Sequence, residues 1–424
     1  MVQKTKNIRW WIAGSIFLAT TINYIDRQAL SVAAPVIRED LRLSNEQYGW
    51  IVSAFLLAYA IMQMVSGRLI DSLGTKKGFS IAVIWWSIAN MLHAFSKGMI
   101  SLGAFRFLLG IGEAANYPAA MKAISEWFPK EERTKAVGIL NMGPGLGAII
   151  APPLMAWLIT DFGWKMAFVI TGAIGFFWLL LWRWIYYEPE KHPRISSEEL
   201  ALIQASQKEE NLEKMPWLSY FKYKEVWGLT LSRFVSDGAF YFFVFWLPSW
   251  LADVKGFSLL EIGMFAWIPF LLSDIGSFVG GWTGGQLMKN GMSLDASRKW
   301  VIWVGAILVI PVLGCLYIES PYWAIALISL SLFATQFKQA SLFTLPIDLF
   351  GKKDAASIWG ISGSAGSFGA MLFTPLIGWL VDTISYSPVF VIVSILHIIS
   401  ALLVMVFIPK IKLVSRADNL KIKT

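Results

Sequence analysis

The chain has 424 residues, of which 56% are hydrophobic and 15% charged, with a formal net charge of +8. A mean hydropathy of +0.58 excludes a water-soluble globular domain of this size. The single Cys315 and three histidines exclude a disulfide framework, and neither a cysteine cluster nor an HxxxH spacing is present, so no metal or other cofactor is expected.

About twelve apolar stretches follow along the chain, most near the ~20 residues a helix needs to cross ~30 Å of hydrocarbon. They are predicted at 8–37, 46–67, 78–96, 99–128, 135–160, 165–187, 225–253, 258–288, 300–318, 322–348, 355–382 and 387–408. The fold class is therefore an all-α membrane protein in two six-helix halves. Residues 1–187 form the N-terminal bundle, 188–224 a cytoplasmic linker, 225–408 the C-terminal bundle and 409–424 a basic cytoplasmic tail. The first stretch is too long for a cleavable signal peptide and a second span follows at once. With both termini inside, most Lys and Arg fall on the cytoplasmic side, among them Lys4, Lys6, Arg9, Lys76, Lys77, Lys289, Arg298, Lys299, Lys352 and Lys353. The opposite loops hold Arg38, Arg42, Lys97, Lys165 and Lys255, so the positive-inside rule sets the orientation. The tail (Lys410, Lys412, Arg416, Lys421, Lys423) suits contact with anionic lipid. Charge sorted by loop, rather than gathered on one soluble face, excludes a nucleic-acid partner. Trp10, Trp11, Trp184, Trp217 and Trp300 stand at predicted membrane edges as anchors.

Two spans carry charges where an ionised side chain costs roughly 2.5–3.5 kcal/mol on insertion scales. Span 1 reads WWIAGSIFLATTINYIDRQALSVAAP and contains Asp26 and Arg27; span 4 reads MISLGAFRFLLGIGEAANYPAAM and contains Arg106 and Glu113. Such residues predict a polar, water-reachable cavity in a helical bundle. Adjacent residues on a helix diverge by about 100°, so Asp26 and Arg27 face different neighbours. Arg27 toward the cavity offers a planar fork suited to a carboxylate. Asp26 is then either a second protonatable group or a structural partner on a neighbouring helix. Arg106 and Glu113 lie two turns and about 10.5 Å apart on one face, too far for a direct bond. Arg106 is the outer residue, placed to hold the anion or pair with another helix; Glu113 is the candidate proton carrier. Tyr24 shares Arg27's face and Tyr59 lies mid-span 2; each hydroxyl reads substrate or fills an interhelical contact.

Between spans 2 and 3 stands Gly67-Arg68-Leu69-Ile70-Asp71-Ser72-Leu73-Gly74-Thr75-Lys76-Lys77. Gly74 permits a tight turn, and Asp71 can meet a helix N-terminus or a cation in one conformation and release it in another. Gly67, Asp71, Gly74 and Lys76 are therefore gating candidates. Asn141 in span 5 reads a hydroxyl or bonds a neighbouring helix. Glycines gather in spans 5, 8 and 11, where small side chains let helices approach closely, and Pro144, Pro152 and Pro153 are expected to bend span 5. In the linker, Ser196 and Glu199 predict a capped surface helix from Glu198 to Lys208. Arg233, Asp237 and Asp274 in spans 7 and 8 predict one structural or gating pair. Span 10 holds Gln336 and Lys338; three-residue spacing from Thr335 puts Lys338 toward the cavity, unless it snorkels to the cytoplasm. Ser362 and Ser364 in span 11 and Trp267 in span 8 are candidate hydroxyl and stacking contacts.

A shift of about 222 residues lays Phe128 on Phe350, Gly138 on Gly360, Gly147 on Gly369, Pro153 on Pro375 and Trp157 on Trp379. Two repeated six-span halves are a mark of alternating-access carriers.

The Gly67–Lys77 stretch resembles the cytoplasmic 2–3 loop motif of the major facilitator superfamily, with Ser72 where that motif usually has Arg. NYIDRQALSVAAP, RFLLGIGEAANYPAA and EWFPKEERTKAVG are similar to the anion:cation symporter family within it. GTKKG, LEIGMFAWIPFLLSDIG and FATQ…LPIDLFG are most similar to its hexuronate transporters. This resemblance covers essentially the whole chain. It implies a twelve-helix fold and symport of glucuronate or galacturonate with protons. It further implies that Arg27 and Arg106 contact or gate the anion while Asp26 and Glu113 serve proton coupling. The expected partners are a sugar-acid anion, protons and the bilayer, with the protein a monomer in a bacterial inner membrane. A galactonate-type or other carboxylate carrier, acting as symporter, uniporter or exchanger, is the alternative. A channel would need a repeated ring of lining residues, and an enzyme a nucleophile set or phosphate loop; neither pattern occurs.

Overall fold

The computed structural model describes residues 7–207 and 217–414. Lys4, Lys6, Lys208, Arg416, Lys421 and Lys423 lie outside them. Helices α1 (Ile8–Asp40), α2 (Asn45–Leu73), α3 (Thr75–Leu92), α4 (Met99–Glu113), α5 (Asn116–Trp127), α6 (Lys130–Ile185) and α7 (Ser197–Gln207) make up most of the first half. The second holds α8 (Lys224–Lys255), α9 (Leu259–Phe265), α10 (Ile268–Lys289), α11 (Leu294–Leu308), α12 (Pro321–Leu342), α13 (Leu345–Thr383) and α14 (Ser387–Phe407). Every predicted span falls on helix. Span 4 divides into α4 and α5, span 8 into α9 and α10, and span 10 between α12 and the start of α13. Spans 5 and 6 run together as α6 around Gly163, whose φ of 77° breaks the helical backbone there rather than at the three prolines. Among the described residues, eight helical stretches are long and apolar enough to cross a membrane by length and composition alone.

The chain divides into two compact units. One comprises the described residues of Met1–Asn211 with Val244–Trp267, the other those of Leu212–Phe243 with Ile268–Thr424. In the first, α1 runs along α6 and α2 along α4. The C-terminal part of α8, from Val244, joins this unit: Ser31 Oγ donates to Val244 O at 2.8 Å, Tyr48 OH to Phe245 O at 2.8 Å, and Arg38 Nη2 donates to Asp253 at 2.9 Å. In the second, α10 lies against α12, and a separate apolar core gathers Val226, Leu229, Ile302, Leu342, Ile358 and Val404.

Glycines set these approaches. A Cβ on Gly276 would sit 2.2 Å from Phe333 O, and one on Gly280 2.3 Å from Phe337 O, so α10 touches the backbone of α12. Gly281 faces open space. Gly280→Ala is therefore expected to lower the melting temperature of the detergent-purified protein by several degrees, in line with the roughly 1–3 kcal/mol cost of overpacking, whereas Gly281→Ala leaves it unchanged.

The end of the first unit that carries the start of α1 is tied by charge. Ser44 and Gln47 close a capping box at α2, on the opposite side. Beside the start of α1, Arg9 bonds Glu132 at 2.6 Å and Glu199 of α7 at 2.8 Å, and Glu199 also accepts from Ile8 N and Arg9 N. The Arg9 bond holds the Glu132 carboxyl below the usual carboxylate range. Of the gating candidates, Gly74 is the turn expected, with φ 78°. Asp71 pairs with Lys122 of α5 at 3.0 Å. Lys76 Nζ sits 3.3 Å from the Tyr187 ring, and Gly67 faces open space.

Candidate functional site

The charged residues of spans 1 and 4 meet inside the first unit. Arg27 is almost fully buried, and its Nε donates to Glu113 Oε2 at 3.0 Å. Its guanidinium lies 4.4 Å from the Tyr24 ring, 4.5 Å from Tyr59 and 5.3 Å from Phe55. Guanidinium groups are weakly hydrated and attracted to aromatic faces, so this cage holds a cation in an apolar bundle. Two glycines bring the cage together. A Cβ on Gly147 would meet Tyr24 Cβ at 2.7 Å, and one on Gly110 would meet Phe55 O at 2.5 Å. Thus α6 presses on α1 beside Tyr24, while α4 presses on α2 at the turn carrying Phe55 and Tyr59.

Arg106 and Glu113 share Arg27 rather than each other. From the middle of α4, Arg106 Nη1 donates to Arg27 O at 3.5 Å; from its C-terminal end, Glu113 takes the Arg27 side chain. Arg106 Nε and Nη2 and Glu113 Oε1 have no hydrogen-bond partner, although both residues are buried. Asp26 faces the other way, as adjacency requires. Its Oδ1 accepts from Asn90 Nδ2 of α3 at 2.8 Å, and the same amide donates to Thr171 Oγ1 of α6 at 2.9 Å. Asp26 Oδ2 is likewise without a bond. Two cations and two carboxylates thus form one buried cluster whose formal charges cancel, with polar atoms left over on three of the four. Unsatisfied buried polar atoms are expensive, and in native proteins they concentrate where a ligand or a proton is exchanged.

The remaining predicted residues lie elsewhere. Asn141 is exposed on α6. In the second unit, Gln336 is half-buried and Ser364 is buried with its hydroxyl unbonded. Trp267 donates to Met264 O at 2.8 Å. Lys338 is fully buried, and its ammonium is held by His397 Nδ1 at 3.0 Å and Ser400 Oγ at 3.0 Å, both on α14. The spacing argument placed Thr335 and Lys338 on one face, and both do meet His397; that face bonds to side chains of α14. The second-unit pair is Arg233 with Asp237 at 3.0 Å, joined by Gln339 Nε2 at 2.9 Å. Asp274 is exposed and outside it.

Sequence reasoning missed Asn90, Thr171, Phe55 and His397. Asn90 and His397 carried a signal, since each is a strongly polar residue within an apolar span, Asn90 with His93 nearby and His397 alone. Phe55 carried none.

A family model described as Major Facilitator Superfamily matches residues 16–294 and 290–423. A hexuronate transporter of Escherichia coli K12 is 36% identical over 409 residues, covering 95% of this chain and 94% of that protein. A galacturonate transporter of Dickeya chrysanthemi is 38% identical over 328 residues, covering 76% of this chain and 95% of that one. The crystal structure of a bacterial homolog of the human lysosomal transporter Spinster, inward-facing and occupied, aligns with a TM-score of 0.77 at 20% identity, over 95% of this chain and 97% of that chain. That last likeness bears on the fold alone. The chain belongs to the Major Facilitator Superfamily: it is a multi-pass membrane transporter and not an enzyme.

Proposed function

We propose that this transporter imports a sugar-acid monoanion, a hexuronate such as glucuronate or galacturonate, together with a proton, by alternating access. The names of the two sequence relatives support the cargo class. The observation that carries the coupling is the buried Arg27–Glu113 pair at 3.0 Å.

Arg27 is the carboxylate anchor in this reading. An incoming carboxylate competes with Glu113 for the guanidinium, and Tyr24 and Tyr59 flank it to bond the acid or a sugar hydroxyl. Arg106 supplies the second cation and draws the anion in. Bringing one anion into a neutral cluster would leave an unbalanced negative charge in a medium of low dielectric, which is strongly unfavourable. One proton restores neutrality, and Glu113, displaced from Arg27, is the group that takes it. The stoichiometry that follows is one proton per monoanion, with no net charge moved. Asp26, bonded by Asn90, stabilises Arg106 electrostatically or serves as a reserve proton acceptor. Asn141, Gln336 and Ser364 are further candidates for reading hydroxyls. The Gly67–Lys76 turn, with Asp71 on Lys122, is the gating element. The distribution of Lys and Arg supports an inner-membrane protein with both termini cytoplasmic.

Purified protein in proteoliposomes tests this. Labelled galacturonate should accumulate against its gradient when the outside is acid, and only equilibrate when the proton gradient is collapsed. A membrane potential alone should drive nothing. Accumulation that follows the potential and ignores pH would overturn the electroneutral symport reading.

A further inference from the structure

We propose that Lys338 and His397 form a second proton-binding site, held entirely in the second unit, which stores one proton between two basic side chains and tunes the affinity for the anion.

The pair joins the last part of α12 to the middle of α14, and both side chains are fully buried. Lys338 Nζ and His397 Nδ1 are 3.0 Å apart. At that distance in a fully buried site the two cannot both be cationic; the pair holds at most one proton beyond its neutral state. With that proton present, the ammonium donates to Nδ1, and Nε2–H points to Thr335 Oγ1 at 3.3 Å. With it absent, the amine accepts from Nδ1–H, and the Thr335 hydroxyl turns to donate to Nε2. The other neighbours are equally reversible. Lys338 meets Ser400 Oγ at 3.0 Å, and Ser400 meets Ser232 Oγ at 2.8 Å, where either hydroxyl can be the donor. Every direct partner of the pair is thus a hydroxyl able to donate or accept. Both protonation states keep their hydrogen bonds without moving a heavy atom. A purely structural lysine buried at this depth would be expected to meet a carboxylate instead.

The surrounding charges leave the proton unbalanced. From α8 come Arg233 and Asp237, which are paired with each other at 3.0 Å; Gln339, next to Lys338, bonds Asp237 at 2.9 Å. From α11 the neighbour is Gly305, whose Cβ would stand 2.7 Å from Lys338 Cβ. On α10 the side that meets α12 carries Gly276 and Gly280, and Asp274 lies on the opposite, exposed side. No carboxylate touches the ammonium among the described residues. When the site is protonated, the ammonium is therefore a cation that no carboxylate in contact with it balances among the described residues. Proton and transported anion are then thermodynamically linked, each raising the affinity for the other.

Two measurements test this. Nitrogen-15 histidine spectra of the nanodisc-embedded protein, which has three histidines, report tautomer and protonation without requiring transport. His397 should remain neutral in the wild type and become protonatable in Lys338→Met, where it no longer faces an ammonium. A His397 that stays neutral in both, or is protonated in both, overturns the shared-proton site. Second, the KM for galacturonate should rise by about fivefold or more from acid to alkaline pH in the wild type, the usual scale of such couplings. Lys338→Arg cannot lose its proton and should show a KM below the wild type's at alkaline pH, while Lys338→Met should show one above it at acid pH, and both keep the pH dependence that Glu113 supplies. His397→Gln, which keeps an acceptor for the ammonium, separates a folding defect from a titration effect. Profiles that coincide with the wild type in all three variants would leave the pair a mere tether and end the proposal. Absence of proton-driven accumulation in the wild type, with His397 behaving as expected, would instead count against the Glu113 reading alone.

Discussion

Arg27→Ala will abolish uptake, and Arg27→Lys will recover the fold without recovering the affinity. Alanine empties the cage of Tyr24, Tyr59 and Phe55 and strips Glu113 of the partner it holds at 3.0 Å. Breaking a buried pair by deleting one side costs about 3–5 kcal/mol, because the other charge is stranded. Glu113 escapes by taking a proton, so part of that cost is recovered and the protein survives purification. It then has no fork for a carboxylate. Lysine restores a positive charge to Glu113 but supplies a point charge on a flexible stem, without the planar group that stacks among three rings. The expected result is a melting temperature near that of the wild type with a KM for galacturonate raised by about tenfold or more, the equivalent of one lost bidentate contact. Uptake kinetics and ligand-induced thermal stabilisation, measured on the same preparations, check it. Lysine kinetics equal to the wild type would reduce Arg27 to a structural cation. The double variant Arg27→Ala with Glu113→Gln adds a control: it removes the stranded charge, so it should regain stability over Arg27→Ala and still fail to bind.

The charged residues of this site were legible because their cost in a membrane makes them conspicuous. The 100° step between Asp26 and Arg27 correctly separated their directions: one reaches Asn90 of α3, the other Glu113 of α4. The step could not say which helices would be there. Helix neighbours and their register are set by close approaches such as Gly110 on Phe55 and Gly147 on Tyr24, and these are tertiary facts that no single-helix period contains. Lys338 makes the same point from the other side. Its period was read correctly, yet the helix facing it is α14, with a histidine to receive it. The linker shows a local rule outcompeted by a distant one. Ser196 does cap α7, accepting from Glu199 N at 3.1 Å, while the Glu199 carboxylate is drawn to the N-terminus of α1, where first-turn N–H groups lack helical partners.

Glu113→Gln will separate binding from coupling. The glutamine keeps a carbonyl oxygen where Glu113 Oε2 accepts from Arg27 Nε, so the cage and the interhelical bond persist. What it removes is the negative charge. The cluster then carries Arg27 and Arg106 against Asp26 alone, which is the charge state the wild type reaches only after taking its proton. An anion entering this variant finds the balance already set. Its affinity should increase, by about fivefold or more on the scale of site–site coupling, and should lose the part of its pH dependence that Glu113 supplies. The same substitution leaves nothing to titrate as the cargo comes and goes, so an inward proton gradient has no handle on the cycle. Labelled galacturonate should exchange across the membrane at a rate near that of the wild type in counterflow, while net accumulation falls to simple equilibration. Accumulation that persists undiminished would move the coupling proton to Asp26, whose free Oδ2 beside Asn90 and Thr171 is the remaining carboxylate oxygen in the cluster able to receive it. Asp26→Asn would then be the variant that uncouples. Loss of counterflow together with accumulation would instead show that Glu113 acts by positioning Arg27, because only a group needed for the anion to bind at all stops both.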